Sequence, residues 1–331
     1  VTSLNRIRTF FDLPNDSAFC SKPPRAAIFG VASSVASAKD GAENGAYFLR
    51  NLSKAYAWQA AETSVVDLRR RNITLESMVD CGDVSGTTHE VLSAQIKAAV
   101  EGLAAETVPV FVGGDHSVTY SALQAISIRR ELPQIVVCFD HHLDLQYWGN
   151  VRDPLFNTNV MSHAADLLGP GRIFHVGVNP MQAIPKERRS QFLKDLSWIG
   201  RQFPLGSAEL LSGDGILDAI DDDADVYLSV DVDVLGRSEM VATGYPSDYG
   251  LPLERLLDLI ERIAARHRIA GCDLVEFAAD RNDRSAATLA DAGRATRILL
   301  TLLLAIAAQP AGSSGAAQAL DATLLPEGIS A

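Results

Sequence analysis

The chain has 331 residues, 47% of them hydrophobic, which is enough to bury a large core within one α/β unit. Its formal net charge of -12 and pI near 5.0 argue against nucleic-acid or anionic-membrane partners, which select basic patches. Cys20, Cys81, Cys138 and Cys272 form no C-x-x-C pair and residues 1–16 lack an apolar signal core, so a cytoplasmic chain with reduced thiols is expected.

In chain order, residues 1–24 read as an extension. Apolar runs at 25–31, 63–68, 108–112, 135–139, 172–178, 225–230 and 270–277 read as strands. Helical periodicity falls at 89–106, 118–130, 253–267 and 287–307. The most apolar part of the last, 298–308, is too short to span a bilayer. Strands alternating with helices predict a mostly parallel sheet covered on both faces, a three-layer α/β/α fold. One domain over 25–311 is expected to carry any activity. Residues 312–331, rich in small side chains, read as a mobile tail.

Three polar blocks follow strand runs. They are Gly113-Gly114-Asp115-His116-Ser117, Asp140-His141-His142-Leu143-Asp144 and Ser229-Val230-Asp231-Val232-Asp233. The carboxyl ends of parallel strands converge on one crevice, so His116, Asp140, His142, Asp144, Asp231 and Asp233 are expected to meet there. If the strand continues, alternation puts Asp140, His142 and Asp144 on one side, a costly burial unless a cation pairs them. Each block alone could be a solvated turn; together they form a metal-ligand set. Two imidazoles and four carboxylates suit two divalent ions rather than one. The mix of hard oxygens and imidazole favours Mn²⁺, with Zn²⁺, Co²⁺ or Ni²⁺ as competitors.

These blocks resemble the three signatures of the ureohydrolases: arginase, agmatinase, guanidinobutyrase and formimidoylglutamase. Further segments are similar to family stretches: Gly41-Ala42-Glu43-Asn44-Gly45 with Leu49-Arg50, Val79-Asp80-Cys81-Gly82-Asp83, and Gly271-Cys272-Asp273-Leu274-Val275-Glu276. The resemblance runs from about residue 27 to 304. It implies an arginase-like fold and hydrolysis of a linear amidine C–N bond, with Asp144 handling the proton. It implies that Glu276 pairs with a guanidinium and that His163 shuttles protons or contacts substrate. It also implies a homo-oligomer, trimeric or hexameric.

A planar cation must be held with its carbon over the attacking oxygen, and a carboxylate fork does that. The segment from 145 to 159 is longer than in arginases, where this region reads the amino-acid end of arginine. Tyr147, Trp148 and Phe156 offer apolar contact there, and Trp148, Asn157 and Asn159 are candidate substrate contacts. The family's Gly-Ile-Arg is Gly177-Val178-Asn179 here, and the segment after Asp233 lacks the usual aspartate and prolines. A small-molecule guanidino substrate other than plain arginine is expected, converted to an amine and urea. Formimino or amide hydrolysis on the same site, or a metal-binding homologue without turnover, are the alternatives. Of the other histidines, His141 and Asp273 read as supporting groups, His175 as core, and His89 and His267 as surface.

Overall fold

The computed structural model describes residues 9–15, 23–55, 75, 77–129, 133–145 and 154–310. Among these described residues, eight strands form one parallel sheet. They are β1 (Ala26–Val31), β2 (Met78–Val84), β3 (Val108–Val112), β4 (Ile135–Phe139), β5 (Ile173–Val176), β6 (Gly200–Phe203), β7 (Asp225–Asp231) and β8 (Arg268–Val275). Their spatial order is β2-β1-β3-β8-β7-β4-β5-β6. Two three-strand halves, β2-β1-β3 and β4-β5-β6, are thus joined by two strands that come late in the chain.

Strands buried on both faces read as continuous apolar runs rather than alternating ones; β3 (Val-Pro-Val-Phe-Val) and β4 (Ile-Val-Val-Cys-Phe) do so. One face packs under α1 (Gly45–Ser53), α8 (Leu253–Arg266) and α9 (Ala286–Ala308), and the other under α2 (His89–Glu101), α3 (Val118–Arg129) and α4 (Val160–Leu168). α8 buries Leu253, Leu256, Leu257, Ile260, Ile263 and Ala264, the three-and-four spacing of one helical stripe. The three-layer expectation holds. Among the described residues no helix is long and apolar enough to cross a membrane.

Several elements differ from expectation. α2 stops at Glu101, with Gly102 as its cap, rather than at 106. The run at 63–68 lies outside the described residues, as do Cys20 and residues 312–331. The outer neighbour of β1 is β2, whose Asp-Cys-Gly-Asp sequence carries little hydrophobic signal. Short elements α5 (Arg189–Ile199), β6, α6 (Ala208–Ser212) and α7 (Asp214–Leu217) complete the second half. His267 is buried at 3% exposure, not on the surface, because it sits where α8 turns directly into β8. Cys81, Cys138 and Cys272 are free thiols.

Two stretches distant in sequence lock together. Asp80 in β2 takes a two-pronged ion pair from Arg50 of α1, Nε–Oδ2 2.9 Å and Nη2–Oδ1 3.0 Å. Its carboxylate also accepts the Phe10 and Gly82 N–H groups at 2.8 and 2.9 Å. Phe10 and Phe11, from the segment read as an extension, are fully buried, and Phe10 lies under the Arg50 guanidinium at 4.4 Å.

Candidate metal centre and substrate cleft

The β3–α3 turn places His116. Gly113 and Gly114 take φ of +87° and +79°, and a Cβ on Gly114 would stand 2.7 Å from Val118 Cγ2. Beyond this turn His116 is fully buried, with Nδ1 3.2 Å from Asp140 Oδ2, 2.9 Å from Asp144 Oδ2 and 3.4 Å from Asp231 Oδ2. β4 ends at Phe139, so Asp140, His142 and Asp144 do not meet by strand alternation. Asp140 Oδ1 accepts the His142 N–H at 2.6 Å, and Asp144 takes φ 49°, so a turn gathers them instead. After β7, Asp231 Oδ1 accepts the Asp233 N–H at 2.8 Å in the same manner. His142 Nδ1 then lies 3.0 Å from Asp233 Oδ2 and 3.7 Å from Asp140 Oδ1. Asp140 stands between the two histidines.

Burial and the neighbouring charges of Asp144 and Asp233 raise the Asp140 carboxyl to about 7. Burial, Asp233 and Asp140 push Asp231 well above the carboxylate range. Burial opposes charge on His142, but the hydrogen-bonded Asp233 overrides it and lifts the ring to about 10. Asp233 is held low by that same pair despite its burial. Acids this crowded cannot all ionise without shared cations. His116 Nδ1, buried and without a well-angled hydrogen bond, points into the same cluster. Ligand atoms of Asp140, His142 and Asp233 lie within 4.8 Å of one another. The donor set fits divalent metal ions.

Glu276 follows β8 with φ 63° and 4% exposure, a strained backbone at the cleft floor. Its Oε1 accepts the His116 N–H at 2.8 Å and Asn157 Nδ2 at 3.0 Å. Burial and then Asp115 raise its carboxyl to about 8. A cleft of about 810 Å³ opens over these groups, lined by His142, Asp144, Asn157, Asp231, Asp233 and Glu276 among others.

Residues 24–301 match the sequence model described as the arginase family. The chain belongs to the arginase family. It is 30% identical over 216 residues to the formimidoylglutamase of Chromobacterium violaceum, covering 61% of this chain and 67% of that one. Across the first curated relatives the matched stretch spans 59 to 68% of their length. The proclavaminate amidino hydrolase of Streptomyces clavuligerus has a similar structure, with TM-score 0.71, 22% identity, and 91% and 97% of the two chains covered. So does the formiminoglutamase of Trypanosoma cruzi described with Mn²⁺, with TM-score 0.71, 16% identity, and 88% and 97% covered. At these identities the two structures establish the arginase-like fold alone.

Within this arginase-family chain, the six expected ligand residues and Glu276 come together at one end of the sheet. Asn157 joins them. Asn159 is buried apart from the cleft lining, its amide accepting the Phe156 N–H at 2.8 Å and donating to the Pro154 carbonyl at 3.2 Å. His163 is on α4, its ring 5.5 Å from Tyr120, and it does not line the cleft. Tyr147 and Trp148 lie outside the described residues. The His141 ring packs edge-on against His142 and Tyr249, and its backbone N–H donates to Asp233 Oδ1 at 3.3 Å. His175 is core, its Nε2–H donating to the Leu143 carbonyl at 3.0 Å.

Sequence reading missed the outer wall, where Gln182, Ile184, Pro185, Glu187, Gln191 and Phe192 line the cleft. A polar loop running into a short helix carries no signal that it faces a site. Asp115 was also missed. It is buried, and it accepts from Ala36 N at 2.9 Å and Ser117 N at 3.0 Å, so the 32–38 loop is pinned to the His116 turn. Its signal was its place inside the signature turn.

Proposed function

We propose that this chain is a metal-dependent amidinohydrolase that cleaves a guanidino compound other than L-arginine into an amine and urea. The observation that carries the reading is the buried Glu276 carboxylate, fixed through Oε1 at the floor of a cleft it shares with Asp144, Asp231 and Asp233. A carboxyl so held would ionise as a planar cation enters beside it, pair with that cation and orient its carbon. Two divalent ions are proposed, Mn²⁺ first. His116, Asp140, Asp144 and Asp231 would hold one, and Asp140, His142, Asp231 and Asp233 the other. When bound, such ions act as Lewis acids and bring a water's pKa toward neutrality. Asp144, whose Oδ2 faces His116 Nδ1, would take the water's proton on its other oxygen, Oδ1, and pass it to the departing nitrogen. Asn157 would keep Glu276 from rotating away.

Apolar Ile184, Pro185 and Phe192 on the wall suit a hydrocarbon tail, and the size of the cleft lies in the range of small-molecule sites. The test is urea release from a panel of guanidino compounds after loading with Mn²⁺. L-arginine turned over as well as any other member would remove the substrate claim. No urea from any member would remove the amidinohydrolase claim. A second reading, formimino hydrolysis, has one observation in its favour: the 30% identity to a protein named formimidoylglutamase. Ammonia or formamide release from a formimino amino acid would distinguish it.

A further inference from the structure

We infer that Asp273 is a positioning residue that dictates which ring nitrogen of His116 faces the metal centre, through a hydrogen-bond chain of fixed polarity, Asp273–Ser229–His116. The inference rests on the metal reading above. β8 registers Asp273 beside Ser229 of β7, and the pair lies directly behind the His116 ring. Asp273 does not line the cleft and cannot touch substrate.

The polarity follows from counting protons. Asp273 Oδ2 accepts Thr119 Oγ1 and Tyr227 Oη, each at 2.8 Å, and Oδ1 accepts Ser229 Oγ at 2.8 Å. A hydroxyl has one proton. Ser229 commits its proton to Asp273, so towards His116 Nε2 at 3.1 Å it can only accept. Thr119 Oγ1, also 3.1 Å from Ser229 Oγ, has likewise committed its proton and does not reverse the chain. Nε2 therefore donates. A neutral imidazole with its proton on Nε2 presents a lone pair at Nδ1, and Nδ1 is the atom surrounded by Asp140, Asp144 and Asp231. A lone pair facing three carboxylates repels them; with a cation between, all four groups become ligands. Outer partners of this kind set ligand tautomer and basicity. His142 has a different setting: its ring meets the edges of His141 and Tyr245, with centroids 5.4 and 6.4 Å away. The effect of Asp273 should therefore fall on one ion of two.

Asp273→Asn is the discriminating change. The amide oxygen keeps the position that receives two hydroxyls, which leaves the NH₂ facing Ser229. Ser229 must then accept from it and donate to Nε2, so the His116 proton moves to Nδ1, where it opposes a metal. Mn²⁺ titration of the full chain, with free ion read by electron paramagnetic resonance, should give two ions for wild type. Asp273→Asn should weaken one of them by about 10- to 100-fold and leave the other unchanged. Cys272→Ala, an equally buried change on the same strand, should leave both. If Asp273→Asn does not fold, Ser229→Ala, which removes the acceptor of the Nε2 proton, should weaken the same single ion. Wild-type affinity for both ions in Asp273→Asn, or equal weakening in Cys272→Ala, overturns the inference while the metal reading stands. A wild-type chain that takes up no Mn²⁺ overturns both.

Discussion

Among individual residues, Glu276 and Asp140 test the proposed substrate handling and the proposed metal holding separately. Glu276→Gln keeps the shape and the contacts to His116 N–H and Asn157 but removes the anion. It should cost about 2–3 kcal/mol in kcat/KM for a guanidino substrate, roughly 30- to 150-fold, with metal content unchanged. Steady-state kinetics alongside metal analysis checks this; near-normal turnover would point to a substrate that is not a cation. Asp140 stands between both histidines, so Asp140→Asn should lower occupancy of both ions after Mn²⁺ loading and desalting. His175 carries a pH prediction. Burial lowers its pKa from 6.5 to about 4, so it folds as the neutral ring. Between those values the unfolded chain binds the extra proton. The contribution to stability is present above about pH 6.5 and lost as pH falls towards 4, on the order of 3 kcal/mol. Urea unfolding of wild type and His175→Gln across that window should show a shallower slope in the variant.

At the level of elements, the strand-end turns and the Arg50–Asp80 lock matter most. Gly114→Ala forces a Cβ to 2.7 Å from Val118 at φ +79°, so it should destabilise by at least about 1–2 kcal/mol and displace His116. Reduced unfolding midpoint together with weakened metal binding is the expected pair of results. Asp80→Ala leaves the buried Arg50 guanidinium only the half-exposed Asp83 carboxylate and strands the Phe10 and Gly82 N–H groups, so it should cost about 3 kcal/mol, read by denaturant unfolding. The same elements show what the sequence could disclose. β3, β4 and β7 were legible because they are apolar runs closed by polar blocks, and α8 and α9 because their stripes are long. β2 was hidden because its central Asp80 is buried for an ion pair and not for packing. The candidate ligand positions were legible from residue type. The manner of convergence was not, since D-x-H and D-x-D close as turns held by side-chain-to-backbone hydrogen bonds, which periodicity does not encode. Asp115 and Asn159 needed three-dimensional partners before a role could be read.

For the whole molecule, the decisive feature is that β7 and β8, the two latest of the described strands in chain order, occupy the middle of the sheet. This has a consequence for how the chain reaches its native state. Until residue 275 is available, the β2-β1-β3 and β4-β5-β6 halves cannot join. The facing edges of β3 and β4, both apolar, stay unpaired. Exposed apolar edges are templates for pairing between chains, and long-range parallel pairing is slow to form. Recovery from denaturant should therefore fall steeply as protein concentration rises, with light scattering increasing in step. Chains ending before residue 225 should scatter most. Added Mn²⁺ should rescue little of that loss, because Asp231, Asp233 and Glu276 arrive with the very strands that close the gap. Assembly of the catalytic apparatus is then the final event of folding, and a half-made molecule has nothing with which to act.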